Sequence, residues 1–280
     1  MKLSKKALTQ LEAQALSIRR TVLSMIVSAH ASHIAPSYSI VELLVYLYEK
    51  ILRIDPQKPQ DPNRDRFLLS KGWGISALYA VLSEKGFIKK SLLDSYCKDG
   101  SKLIGIATYN GVPGIEASTG SIGHGLPIGV GMAMGLKLKA TSSKLKAPHV
   151  FVLMGDGECD EGTTWESALI AAHHQLNNLV AIIDYNKWQS FGRTNDVLNL
   201  EPFGLKWKSF GWHVYEIEGH DFEQIADAFA QVAQEKTRPS VIIAHTIKGK
   251  GLSVIEDNNN FHYRTPQEDE LAVAKTEGLL

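Results

Sequence analysis

A three-layer αβα architecture around a mostly parallel sheet is what this 280-residue sequence predicts, and three features point to it. From residue 149 onward, short apolar runs alternate with amphipathic stretches at helical spacing. Runs that are apolar on both faces suit parallel strands covered by helices above and below. The first run, Val150–Met154, passes directly into the turn Gly155-Asp156-Gly157-Glu158, and such sheets bind ligands at the carboxyl ends of their strands. The chain is also long enough, at 44% hydrophobic and 21% charged residues, to bury one large core. Residues 1–280 therefore read as a single domain.

Residues 4–29 place Leu8, Leu11, Ala15, Ile18, Val22, Met25 and Ile26 on one helical face. A second helix is expected over 39–51, with Ser39 as N-cap and Glu42 completing a capping box. The segment DPQKPQDPN, with its three prolines, is a polar loop from Asp55 to Asn63. A helix over about 75–85 ends at Gly86. The most apolar stretch, Ile122 to Leu138, holds five glycines and a proline and reads as a buried turn and helix. Strands are then expected at Val150–Met154, Leu179–Asp184, Trp212–Ile217 and Ser240–His245, with helices at Thr163–Gln175 and Phe222–Gln234 between them. The polar tail from about residue 266 is expected to be partly loose.

Lys plus Arg and Asp plus Glu both total 30, so charge gives no argument for a nucleic-acid or anionic-membrane partner. No apolar stretch reaches the roughly 18 residues that span a bilayer, and the basic N-terminus lacks the apolar segment of a secretory signal. Cys97 and Cys159 make one bridge at most, which points to a reducing, cytoplasmic setting.

The chemistry concentrates at two strand ends. An isolated GDG triplet is ordinarily only a strand–helix turn. Here Asp184-Tyr185-Asn186-Lys187-Trp188 stands at the next strand end, and parallel neighbours bring Asp156 and Asn186 side by side. A carboxylate and an amide oxygen are the hard donors that hold Mg²⁺ or Ca²⁺ against a diphosphate.

GDG followed thirty residues later by this asparagine resembles the thiamine-diphosphate signature of transketolases, decarboxylases and 2-oxo acid dehydrogenases. Four further segments, in order, resemble the transketolase family: DRFLLSKG (65–72), GIEASTGSIGHGLPIGVGMAMG (114–135), GDGECDEGTTWESA (155–168) and AHTIKGKG with the later FH (244–262). The likeness covers about residues 15–270 and matches the N-terminal third to half of a full-length transketolase. It implies the thiamine-diphosphate-binding fold and a set of roles. Asp156, Asn186 and the Trp188 carbonyl would ligate Mg²⁺ or Ca²⁺, and Gly157 would offer its N–H to the diphosphate. Gly120, Ser121 and Ile122 would line the cofactor rings. Lys248 and His262 would sit near the diphosphate and the reacting carbon, and His33 would meet substrate. Glu161 and Glu166 read either as complements to a helix N-terminus or, by resemblance, as interface acids.

The resemblance also implies a partner: a second subunit with the pyrimidine-binding domain, in an α2β2 assembly that moves a two-carbon ketol unit between sugar or sugar-phosphate substrates. Two departures bear on the donor. Trp73 stands in LSKGWG where the family has histidine, and Leu103-Ile104-Gly105-Ile106-Ala107 lacks another, with no histidine between residues 34 and 123. Pyruvate or another 2-oxo acid as donor, and a degenerate subunit that binds only cofactor or partner, stay open as alternatives.

Overall fold

Alternate residues of each strand feed two separate apolar cores, and this layering organises the molecule. The computed structural model describes residues 3–143 and 147–280. In chain order, α1 (Lys5–Ala29), α2 (Ile34–Tyr38) and α3 (Val41–Tyr46) precede β1 (Arg66–Leu69) and α4 (Ile75–Glu84). Then come α5 (Gly125–Ser143), β2 (Val150–Gly155), α6 (Gly162–His173), β3 (Leu179–Tyr185) and the short α7 (Thr194–Val197). The chain continues through α8 (Phe203–Ser209), β4 (His213–Glu218), α9 (Phe222–Val232), β5 (Ser240–His245) and α10 (Glu268–Thr276). The five strands form one sheet in the order β1-β2-β3-β5-β4, every pair parallel.

Phe151, Leu153, Val180, Ile182 and Ile242 pack with α1, α3, α4 and α9 on one side. Val150, Val152, Leu179, Ala181 and Ile243 pack with α5, α6 and α8 on the other. The expected αβα layering is thus present. All six residues of β2 and all seven of β3 are buried, which explains why these strands read as continuous apolar runs. β1 has only four residues. It lies inside DRFLLSKG, a segment whose motif is clearer than its strand signal.

Two expectations are overturned. Ser39 is no N-cap: its backbone is helical (φ −60°), and it closes α2 instead of opening the next helix. Its hydroxyl donates to the Pro36 carbonyl at 3.1 Å and to Asp184 Oδ2 at 2.7 Å, so a tertiary bond has taken the capping side chain. The expected 39–51 helix is α3 followed by a π-helical turn, Leu47–Ile51, closed by Leu52 N–H to the Leu47 carbonyl at 2.9 Å. The tail is not loose either. α10 buries Ala274 and is followed by buried Leu279. Arg20 Nε donates to the Gly278 carbonyl at 2.7 Å, and the Ser253 N–H to Glu277 at 3.0 Å. The polar residues 268–270 that suggested disorder are the solvent side of a docked helix.

Candidate functional site

Register builds the site. Gly155 of β2 lies opposite Asp184 of β3, so the residues just beyond, Asp156 and Asn186, leave adjacent strand ends together. Asp156 is buried. Its Oδ1 accepts the Gly157 N–H at 3.0 Å, and its Oδ2 accepts the Lys187 N–H at 3.0 Å and the Thr194 hydroxyl at 2.7 Å. Asn186 donates Nδ2–H to Asp184 Oδ2 at 2.8 Å, which fixes the amide so that Oδ1 accepts the Trp188 N–H at 3.0 Å. Trp188 and Arg193 form an antiparallel bridge. The flanking bonds run from Gln189 N–H to Gly192 and from Thr194 N–H to Lys187. That makes Trp188–Arg193 a non-hydrogen-bonded pair, whose carbonyls turn away from the ladder.

These groups open onto a cleft of about 330 Å³. Asp156, Gly157, Asn186 and Trp188 line one side. Gly120, Ile122, His33, Lys248 and His262 also face it, so residues from both ends of the chain meet. Ser121 does not line it and is exposed. Gly120 has φ +111°, and a Cβ there would lie 2.3 Å from Ile106 Cδ1, so glycine is needed twice over.

Lys248 is almost fully buried and donates from Nζ to Asn259 Oδ1 at 2.6 Å and to His262 Nδ1 at 2.9 Å. A neutral His262 receiving that bond carries its proton on Nε2. The His33 and His262 rings meet edge to face at 5.2 Å. Burial, then the nearby Lys248, pushes His262 down to about 3 and His33 down to about 4. Burial, reinforced by Lys71, brings Lys248 down to about 7, against the pull of Asp156 and Asp184. Burial lifts Asp156 to about 7, opposed by the Thr194 bond, with Asp184 adding to the rise.

Similarity decides the family. The transketolase family, described as "Transketolase, thiamine diphosphate binding domain", matches residues 11–278. The chain belongs to the transketolase family. Its relatives include an apulose-4-phosphate transketolase subunit of Phocaeicola vulgatus, 40% identical over 95% of this chain and 93% of that protein. The "6-deoxy-6-sulfo-D-fructose transketolase subunit SqwG" of a Clostridium species is 40% identical over 88% of this chain and 88% of its own length. Among solved structures, the transketolase from Campylobacter jejuni superposes with a TM-score of 0.90 at 29% identity, over 99% of this chain and 43% of that one. The transketolase from Leishmania mexicana gives 0.90 at 26% identity, over 96% of this chain and 41% of that chain. The chain thus spans about two fifths of the solved transketolases it matches.

Sequence reasoning missed the support behind this transketolase-family cleft. Lys71, buried at the end of β1, pairs with the fully buried Asp184, which also accepts from Ser39 and from the Thr246 hydroxyl. Burial would raise the Asp184 carboxyl, but Lys71 and these bonds hold it below the ordinary range. Glu158, fully buried, accepts from the Ser70 hydroxyl, from Gly155 N–H at 3.0 Å and from Gly123 N–H at 3.2 Å. It ties the GDG turn to the STGSIG turn. Both groups lie within or beside family motifs, so the only sequence signal was a charged residue within an apolar run. Glu161 gives the α6 N-cap position without a side-chain bond, and Glu166 is exposed. Among the described residues, no helix is long and apolar enough to cross a membrane.

Proposed function

We propose that this chain is the diphosphate-holding, N-terminal subunit of a split thiamine-diphosphate transketolase, acting as one domain with a second subunit that carries the pyrimidine-binding domain. The observation that carries this is the oxygen set at the β2 and β3 ends, facing the Lys248–His262 pair across one cleft. The donors suit Mg²⁺ or Ca²⁺. Asp156 Oδ1 and Asn186 Oδ1 each accept one protein bond and keep a lone pair, and the Trp188 carbonyl lies outside the ladder. A bound cation would oppose the burial that lifts Asp156 and keep it ionised. Asp156, Asn186 and Trp188 would hold the metal; Lys248 and the Gly157 N–H would meet the diphosphate, the latter sharing its bond to Asp156.

Thiamine diphosphate, when bound, supplies the carbanion chemistry of two-carbon ketol transfer. The chain's residues orient and enclose it. Gly120 and Ile122 shape the wall beside the rings. His33 and His262, neutral at pH 7, add no charge to the cleft; with Nδ1 of His262 taken by Lys248, its Nε2–H is left for a substrate oxygen. Two free thiols, Cys97 and Cys159, fit a cytoplasmic, reducing setting.

Trp73 and Ile106 both line the cleft, so its wall is apolar where the family places histidines. At those two positions a sugar hydroxyl finds nothing to pair with. The donor is therefore a modified sugar or one with fewer hydroxyls, in keeping with the modified sugars named for the relatives; pyruvate or another 2-oxo acid is the second reading. α5 turns Gly131 and Gly135 to open space and leaves Leu138 70% exposed, a surface suited to another subunit in an α2β2 assembly. Ketol transfer is measured with the pure chain, and with the chain plus its companion, at saturating Mg²⁺ and thiamine diphosphate. Silence alone and turnover on mixing is the expected result. Robust turnover by the chain alone overturns the split-enzyme reading, and efficient use of xylulose 5-phosphate or fructose 6-phosphate overturns the donor preference.

A further inference from the structure

Beyond Asn186, the loop 187–193 carries four more cleft residues, Trp188 to Phe191, yet none of its residues is buried. Phe191 is 88% exposed. Apolar packing therefore does not fix this loop, and polar bonds must. Some are local: Thr194 and Lys187 bond to Asp156, and Gln189 Nε2–H donates to Asp160 Oδ2 at 2.6 Å. Of the bonds to the opposite loop, most converge on one residue. Asp257 Oδ1 accepts from Trp188 Nε1–H at 2.6 Å and from Arg193 at 2.8 Å, and its Oδ2 pairs with the same guanidinium. That guanidinium lies over the Trp188 ring, 3.9 Å from its centroid.

Asp257 is also joined to the other wall. Its own N–H donates to the Lys248 carbonyl at 2.8 Å. Two residues on, Asn259 accepts from Lys248 Nζ at 2.6 Å and donates to the Ser190 carbonyl at 3.1 Å. The turn that presents Asp257 passes through a left-handed conformation at that residue, φ +54°, which Asp and Asn tolerate better than most. Asp257 thus joins the two loops, its carboxylate holding the one with the Trp188 carbonyl and its backbone N–H tied to Lys248 in the other.

We propose that Asp257 is a positioning residue: a latch that sets the metal-facing and diphosphate-facing walls of the cleft relative to each other. This rests on the cofactor reading above. Asp257 does not line the cleft and acts through Trp188, Arg193 and Lys248. An exposed ion pair adds little to global stability. Outer groups that orient metal ligands typically change affinity by about 10–100-fold.

Three single variants of the full chain test it. Asp257→Gly keeps the positive φ and removes the carboxylate. Arg193→Met breaks the pair from the other side. Asp257→Asn keeps an acceptor for Trp188 but loses the charge. For each, amide hydrogen exchange over residues 187–194, Mg²⁺-dependent thiamine diphosphate binding by calorimetry, and melting temperature are measured, with and without the companion subunit. Asp257→Gly and Arg193→Met are expected to speed exchange of the loop and weaken cofactor binding about tenfold, with melting lowered by about 3 °C or less. Asp257→Asn should fall between them and the wild type. Wild-type binding with unchanged exchange and affinity in the variants overturns the latch alone. A wild-type chain that takes up no thiamine diphosphate, alone or with its companion, overturns the reading beneath it and the latch with it.

Discussion

At the residue scale, Asp156 is where the competing demands of the cleft are sharpest. It is buried, accepts three protein bonds, and faces Asp184 across the strand ends. Such a carboxylate costs stability unless something positive joins it. Asp156→Ala should therefore abolish Mg²⁺-dependent thiamine diphosphate binding and leave the fold in place, because relief of the buried charge offsets the acceptors lost by Gly157, Lys187 and Thr194. Calorimetry with unchanged, metal-dependent affinity would disprove the assignment; circular dichroism checks the fold. Asp156 and Asn186 were legible in the sequence because parallel register converts a spacing along the chain into adjacency in space. Lys71 and Asp184 were not legible. Their partnership joins positions 113 apart, and a buried ion pair leaves no periodic trace. Asp257 was harder still, being one acid in an Asn-rich loop whose meaning depends on a left-handed turn and an arginine 64 positions away.

At the element scale, the long periodic helices and the strands β2 to β5 were read to within a residue or two, whereas the 39–51 segment was not. α1 and α9 match their expected spans because each presents a clear apolar stripe and a side-chain cap, Ser4 and Asp221 respectively. The 39–51 segment misled because Ser39 and Glu42 have the right spacing for a capping box while both side chains are committed elsewhere. Glu42 joins three elements. Arg19 of α1 bonds Glu42 of α3 at 2.7 Å, and His220, after β4, bonds it at 2.9 Å. Burial alone would raise this carboxyl; Arg19 and His220 outweigh burial and hold it down to about 2. A carboxyl held lower in the folded than in the unfolded chain stabilises above the unfolded value of about 4.5. That contribution fades as pH falls through about 2. Glu42→Gln should cost about 2–4 kcal/mol near neutral pH, since it strands the buried Arg19, and much less at pH 2. Urea unfolding of both proteins across that range checks it: a constant gap would show that the carboxylate is not the source.

At the scale of the whole molecule, cofactor and partner should act on each other. If both recognise the same ordered cleft, the factor by which the companion tightens thiamine diphosphate equals the factor by which thiamine diphosphate tightens the companion. Two titrations, each with and without the other ligand, measure both factors; a factor of one would mean the two sites are uncoupled. The sheet order has a further consequence, for how the protein is made. β4 precedes β5 in the chain, yet β5 is its neighbour in the sheet and the strand that links it to β3. During synthesis β1, β2 and β3 can pair as they emerge, while β4 and its helix wait without a strand to join. The exposed edge of β3 is an adhesive surface until residues 240–245 leave the ribosome and slot between them. Lys248 and His262 lie beyond β5 in the chain, so the wall of the cleft they form is among the last parts to be completed.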